Sequence, residues 1–197
     1  DAILFWRSVS QWIGGVGIVV LVVAIAPATG LASQRVFYAE TSGITADRLT
    51  PRIADTAKIL WGIYLVLTAA GFLAYVLAGM GPFDAINHVM TSVATGGFST
   101  ETASIQAFDS LAIELVAIVL MVLAGINFAF YWRALRGSSI WPQAAEVRAY
   151  LAVMAVSVAA VTVALALSEH PGTIPQQLRE AGFSVVTVMT GTGYTTV

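Results

Sequence analysis

The residues with chemistry to offer lie in two short stretches without a charge. Thr91–Thr100 reads TSVATGGFST and Thr187–Thr196 reads TVMTGTGYTT. A dehydrated cation needs oxygens in place of its water, and rings of backbone carbonyls can supply them. Turning carbonyls inward asks for dihedrals that glycine reaches easily. Gly96, Gly97, Gly191 and Gly193 offer that freedom, and the hydroxyls of Thr95, Thr190 and Thr192 can add oxygens or brace the loop. Neither stretch holds a carboxylate, which favours a carbonyl site for a monovalent ion over a divalent one. Set back by 96 positions, Thr187 falls on Thr91, Gly193 on Gly97, Tyr194 on Phe98 and Thr196 on Thr100. The same offset carries Ala181 onto Ala85, Val185 onto Val89 and Arg148 onto Arg52. A shared register over a whole unit marks an internal repeat.

The elements that must position these loops are membrane helices. Of the 197 residues 58% are hydrophobic and 10% charged, against roughly 25% charged in soluble domains. The net charge of -2 provides no basic face for nucleic acid. With no cysteine, disulfide scaffolds and thiolate metal sites are excluded, and His88 and His170 alone do not make a zinc site.

Leu4–Pro27 reads as a first span, with Trp6 and Trp12 suited to an interface and Gly14, Gly15 and Gly17 to close helix contact. Arg7, an apolar core and Ala24-Ile25-Ala26 also fit a secretory leader, but Pro27 and the leading tryptophans speak against it. Residues 29–58 form a polar loop and a helix start, with Thr50 as N-cap and Pro51 at the first position. A second span runs to about Ala78. Phe83–Ala94 is too short to cross, and with the loop after it reads as a re-entrant half-helix, Asp84 near its positive pole. Leu111–Tyr131 is a third span, Gly137–Glu146 a loop, Arg148–Leu167 a fourth span and Gln176–Met189 a second half-helix. Each half-helix points its negative pole at its loop. Seven of the nine basic residues fall on the side opposite the half-helices: Arg35, Arg48, Arg52, Lys58, Arg133, Arg136 and Arg148. That side is expected to be cytoplasmic, with the half-helices entering from outside past Asp84, Glu101, Asp109, Glu114, Glu169 and Glu180.

Asn127, deep in the third span, could line a pathway or bond a neighbouring helix. His88 could relay a proton or, by default, pack and brace the filter. Glu114 belongs at the outer interface. A secondary transporter of another small solute, binding at broken helices, is the alternative function. An intramembrane enzyme built on Ser99 and His88 lacks an acid orienter and a G-x-S-x-G pattern.

The segments LFWRSVSQWIGGVGIVVL, LTPRIADTAKILW, TSVATGGFST, LAGINFAFYWRALRG and TGTGYTT, in this order, resemble the bacterial Trk potassium-uptake transporters of the Trk/Ktr/HKT superfamily. The resemblance covers essentially the whole chain. It implies an all-α membrane protein of helix–pore-helix–helix repeats with re-entrant loops around a pseudo-fourfold ion pore. Residues 1–28 would be the closing helix of repeat one, 51–136 repeat two, 137–147 a cytoplasmic loop, and 148–197 repeat three up to its filter. The family's filter glycine falls on Gly97 and Gly193. Ala94, Thr95, Gly96, Thr190, Gly191 and Thr192 would be neighbouring carbonyl donors for K+. The resemblance further implies the bacterial inner membrane, a homodimer, and a cytoplasmic ring-shaped partner that alone would bind nucleotide. The first and fourth filters and the gate helix after the third filter are not in the sequence. The chain is therefore expected to be a piece of a longer protein, unable to close a pore alone.

Overall fold

The computed structural model describes residues 1–25, 53–135, 141–168 and 171–196. Among the described residues every regular element is helical. Helix α1 spans Ala2–Ile25, α2 Ile53–Leu77, α3 Pro82–Val93, α4 Leu111–Ala124, α5 Phe128–Leu135, α6 Trp141–Leu167 and α7 Ile174–Met189, with a 3-10 turn at Ser104–Phe108. The Thr50–Pro51 cap, Arg35, Arg48, Arg52, Arg136 and Glu169 lie outside the described residues.

Within the described residues, Lys58–Leu77 and Ala144–Leu167 are long and apolar enough to cross a membrane. Their outer faces are apolar: Leu65, Val66, Leu73 and Leu77 on α2, and Val153, Val156, Val163 and Leu167 on α6, are all exposed. Lipid can cover such faces; water would not tolerate a patch of that extent.

The short α3 is the hub. It packs against α1, α2 and α4, and Ala85 and every residue from Asn87 to Val93 are buried. Since lipid is as apolar as a side chain, helices in a membrane associate by close packing and hydrogen bonds rather than by leaving water. Small residues supply the closeness. A methyl group at Gly71 would stand 2.7 Å from Val89 Cγ2 and 2.8 Å from Leu120 Cδ2, so glycine lets α2 settle onto α3 and α4 together. Gly15 does the same for α1, 2.9 Å from Ala94 Cβ, whereas Gly14 and Gly17 meet nothing within 4 Å. Trp12 ties α1 to α2. It packs edge-on to Trp61, and its indole N–H donates to Thr68 Oγ1 at 3.1 Å, while the Tyr64 hydroxyl donates to the Trp12 carbonyl at 3.0 Å.

Two boundaries differ from the sequence reading. The third span is not one helix: α4 ends at Ala124 and α5 starts at Phe128. Gly125 brings the backbone close to α6, where a methyl group would meet the Tyr150 hydroxyl at 2.5 Å. The freed Leu123 carbonyl accepts from the Tyr131 hydroxyl at 2.6 Å and from the Ile126 N–H at 3.2 Å. Interrupted backbone at membrane depth is tolerated because its polar groups find such partners. The fourth span starts earlier than expected, at Trp141, with Pro142 in its first turn, where a missing N–H costs nothing.

Candidate ion pathway and its paired glycine loops

Helices α3 and α7 occupy equivalent places in the repeat and end in the same way. At the end of α3 the Thr95 N–H donates to the Ser92 carbonyl at 3.1 Å and the Gly96 N–H to the Thr91 carbonyl at 2.7 Å. At the end of α7 the Gly191 N–H donates to the Val188 carbonyl at 3.1 Å and the Thr192 N–H to the Thr187 carbonyl at 3.0 Å. These are paired Schellman bonds, which demand a left-handed residue just past the cap. Thr95 has φ of 49° and Gly191 of 71°. A β-branched residue in that region is strained, so Thr95 is held there by the helix end rather than by preference.

Two positions further on the backbone is left-handed again, at Gly97 (φ 61°) and Gly193 (φ 87°). Carbonyls of an extended strand alternate in direction. Inverting every second residue works against that alternation and brings successive oxygens toward one side. Gly96 is not left-handed. Its lack of a side chain serves another end: a methyl group there would overlap the Gln11 side chain of α1.

The two loops touch. A methyl group at Gly97 would overlap the Thr192 carbonyl oxygen and stand 2.8 Å from the Thr192 carbonyl carbon and 3.1 Å from that of Gly193. The second loop is therefore wedged between α1 and the third-repeat loop. Ala94 and Thr190 are the caps of α3 and α7, so the negative poles of both helices end where the loops begin.

Behind the second loop lies a buried polar scaffold. His88 is fully buried, with Nδ1 2.8 Å from the Asp84 carbonyl and Nε2 2.9 Å from Ser99 Oγ. The carbonyl can only accept, so Nδ1 carries the proton and, in the neutral ring, Nε2 accepts from Ser99. Thr100 Oγ1 donates to Asp84 Oδ1 at 2.7 Å. From α1, Arg7 donates to the Ser99 carbonyl at 2.8 Å and sits 4.7 Å from the Phe98 ring centroid. With both ring nitrogens occupied, His88 braces the strand that leaves the loop. Asn127 is exposed at the α4–α5 break, not deep in a continuous helix as expected, and its carbonyl accepts from the Phe130 N–H at 2.9 Å.

Sequence reasoning missed two features. Glu114, nearly fully buried, forms a bidentate pair with Arg179, both N–O distances 2.6 Å, joining α4 to α7. Tyr194, aligned on Phe98, carries an added hydroxyl that reaches Thr91 Oγ1 at 2.7 Å. The repeat register contained the signal for the second; nothing local announced the first.

Paired half-helices ending in glycine loops that meet inside a helical shell define an all-α membrane protein of the pore-helix class. The family model described as "TrkH: Cation transport protein" matches residues 1–197, and the chain belongs to that family. It is 42% identical over 201 residues to the Trk system potassium uptake protein TrkH of Vibrio parahaemolyticus, covering 99% of this chain and 41% of that protein. It is 39% identical over 198 residues to the TrkH of Escherichia coli, covering 99% of this chain and 41% of that one. The crystal structure of the potassium transporter TrkH from Vibrio parahaemolyticus superposes with a TM-score of 0.82 at 38% identity, over 100% of this chain and 40% of the other. The chain thus spans about two fifths of the length of the relatives it matches.

Proposed function

We propose that the chain supplies two of the carbonyl-bearing loops of a K+-uptake pore, with Ala94–Gly97 and Thr190–Gly193 as the ion-contacting backbone. One observation carries the reading. The two loops reach the same place with left-handed residues at equivalent positions, Thr95 with Gly191 and Gly97 with Gly193, and no charged side chain between. Such a site replaces hydration by carbonyl dipoles. The relatives' names, potassium uptake proteins of a Trk system, support K+ as the ion.

On this reading the protein resides in the bacterial inner membrane with the loops open to the outside. Lys58, Arg133 and Arg148 then stand at the cytoplasmic end, in keeping with the positive-inside rule. It works as a homodimer, and its cytoplasmic loops dock a ring-shaped nucleotide-binding regulator. His88 serves as a brace for the second loop.

The test is growth of a K+-uptake-deficient bacterium on low potassium, rescued by the full-length gene. Gly97→Ser and Gly193→Ser should weaken the preference for K+ over Na+, since a side chain restricts the left-handed backbone. Rescue that fails while the protein reaches the membrane, or an unchanged K+/Na+ preference in both variants, refutes the assignment.

A further inference from the structure

The two loops are not held alike at equivalent threonines. Thr187 turns its hydroxyl oxygen to the Gly193 N–H, 3.0 Å away. Thr91 instead has its hydroxyl 2.8 Å from the Phe98 carbonyl. Beside Thr91 lies the Tyr194 hydroxyl, delivered from the third-repeat loop into the side of α3. Tyr194 is fully buried, and its oxygen lies 2.7 Å from Thr91 Oγ1, 3.2 Å from Ser92 Oγ and 3.0 Å from the His88 carbonyl.

Each hydroxyl owns one proton and can accept as well, which orders the chain. The Phe98 carbonyl can only accept, so the Thr91 proton goes there. Its contacts to the Asn87 and His88 carbonyls are longer, 3.2 and 3.3 Å. Thr91 Oγ1 then has a lone pair for Tyr194, whose single proton is divided between Thr91 Oγ1 and the His88 carbonyl, another oxygen that can only accept. The Tyr194 oxygen is left to accept from Ser92, and Ser92 in turn from the Tyr75 hydroxyl of α2, 2.9 Å away. The run Tyr75, Ser92, Tyr194, Thr91, Phe98 is hydrogen-bonded throughout and ends on a backbone oxygen of the second loop. A carbonyl held by a buried threonine is withdrawn from the pathway, so the inward oxygens of this loop end at Gly97.

We propose that Tyr194 is a positioning residue for ion selection in the neighbouring repeat: its hydroxyl, acting through Thr91, fixes the outer end of the second loop. The inference rests on the K+ reading of the loops. It makes selectivity a property shared between repeats, because loss of a hydroxyl in loop three is felt in loop two.

The experiment uses the full-length protein in proteoliposomes, with Rb+ as the K+ stand-in and Na+ as competitor, read as a ratio of the two uptakes so that folded amount cancels. Tyr194→Phe removes one hydroxyl and keeps the ring. The expected fall in the Rb+/Na+ ratio is about five-fold, the worth of one hydrogen bond. Thr91→Val should lower it similarly, Thr91→Ser should preserve it, and the double variant Tyr194→Phe/Thr91→Val should fall no further than either alone, since the two act through one bond. Should Tyr194→Phe fail to fold, the Thr91→Val and Thr91→Ser pair decides by the same ratio. A wild-type protein that selects Rb+ while Tyr194→Phe and Thr91→Val select it equally well overturns this inference alone; additive losses in the double variant also overturn it. A wild-type protein with no Rb+ preference overturns the K+ reading and this inference with it.

Discussion

Replacing Gly97 by alanine is the sharpest perturbation the loops permit. Two costs arise. An alanine held at φ 61° is disfavoured by about 1–2 kcal/mol. The new methyl group also overlaps the Thr192 carbonyl oxygen and sits 2.8 Å from its carbon, where ordinary contact begins at 3.4 Å. Backbone cannot rotate out of the way, so one loop must retreat by about 0.6 Å at the carbon and more at the oxygen. Binding geometry has to be held to about 0.5 Å, so the displacement exceeds what the site can absorb. Overpacking of this kind adds about 1–3 kcal/mol. If only 1.4 kcal/mol of the combined cost falls on the K+-occupied state, preference for K+ over Na+ drops about tenfold. Gly96→Ala is the control in the same loop. It has no left-handed residue to strain, and its three nearest contacts all belong to the flexible side chain of Gln11, whose Cδ and Nε2 stand 2.7 Å from the added carbon. The assay is competitive Rb+ and Na+ uptake by the full-length protein. If Gly96→Ala impairs selection as much as Gly97→Ala, or Gly97→Ala leaves it intact, the contact between the loops does not set ion preference.

Three further outcomes follow from the packing. Thr95→Gly should raise the thermal unfolding midpoint in detergent by relieving roughly 1 kcal/mol of left-handed strain; a lower midpoint means the Schellman account of the α3 end is mistaken. Arg179→Met strands the buried Glu114 carboxylate. Breaking a buried pair costs about 3–5 kcal/mol, and because Arg179 is 40% exposed the expected loss is discounted to about 2 kcal/mol. Adding Glu114→Gln should then recover most of that loss, and no recovery in thermal unfolding argues against a pair. Gly71→Val should reduce stability by about 2 kcal/mol through overlap with Val89 and Leu120, whereas the same change at Gly62, which meets nothing within 4 Å, should be mild; equal effects, measured as yield of monodisperse protein, would mean α2 does not depend on that close approach.

By itself the sequence determined the membrane class, the re-entrant half-helices and the register between the two loops. These are carried by composition, by apolar length and by a repeat offset, all properties of neighbouring residues or of the chain compared with itself. It named Gly97, Gly191 and Gly193, which do turn left-handed, but not the fourth such residue, Thr95. Glycine content pointed to Gly96, while the hydrogen bonds closing α3 impose that conformation on Thr95. Nor did it reveal the break at Gly125–Asn127, where an unbroken apolar pattern read as one span and the Tyr150 hydroxyl of a different helix bears on the glycine. The Glu114–Arg179 pair and the Tyr194–Thr91 bond join residues 65 and 103 positions apart. Only the packing of α7 and its loop against α3 and α4 brings those partners within a hydrogen bond, because directional contacts between distant segments leave no periodic trace in the chain.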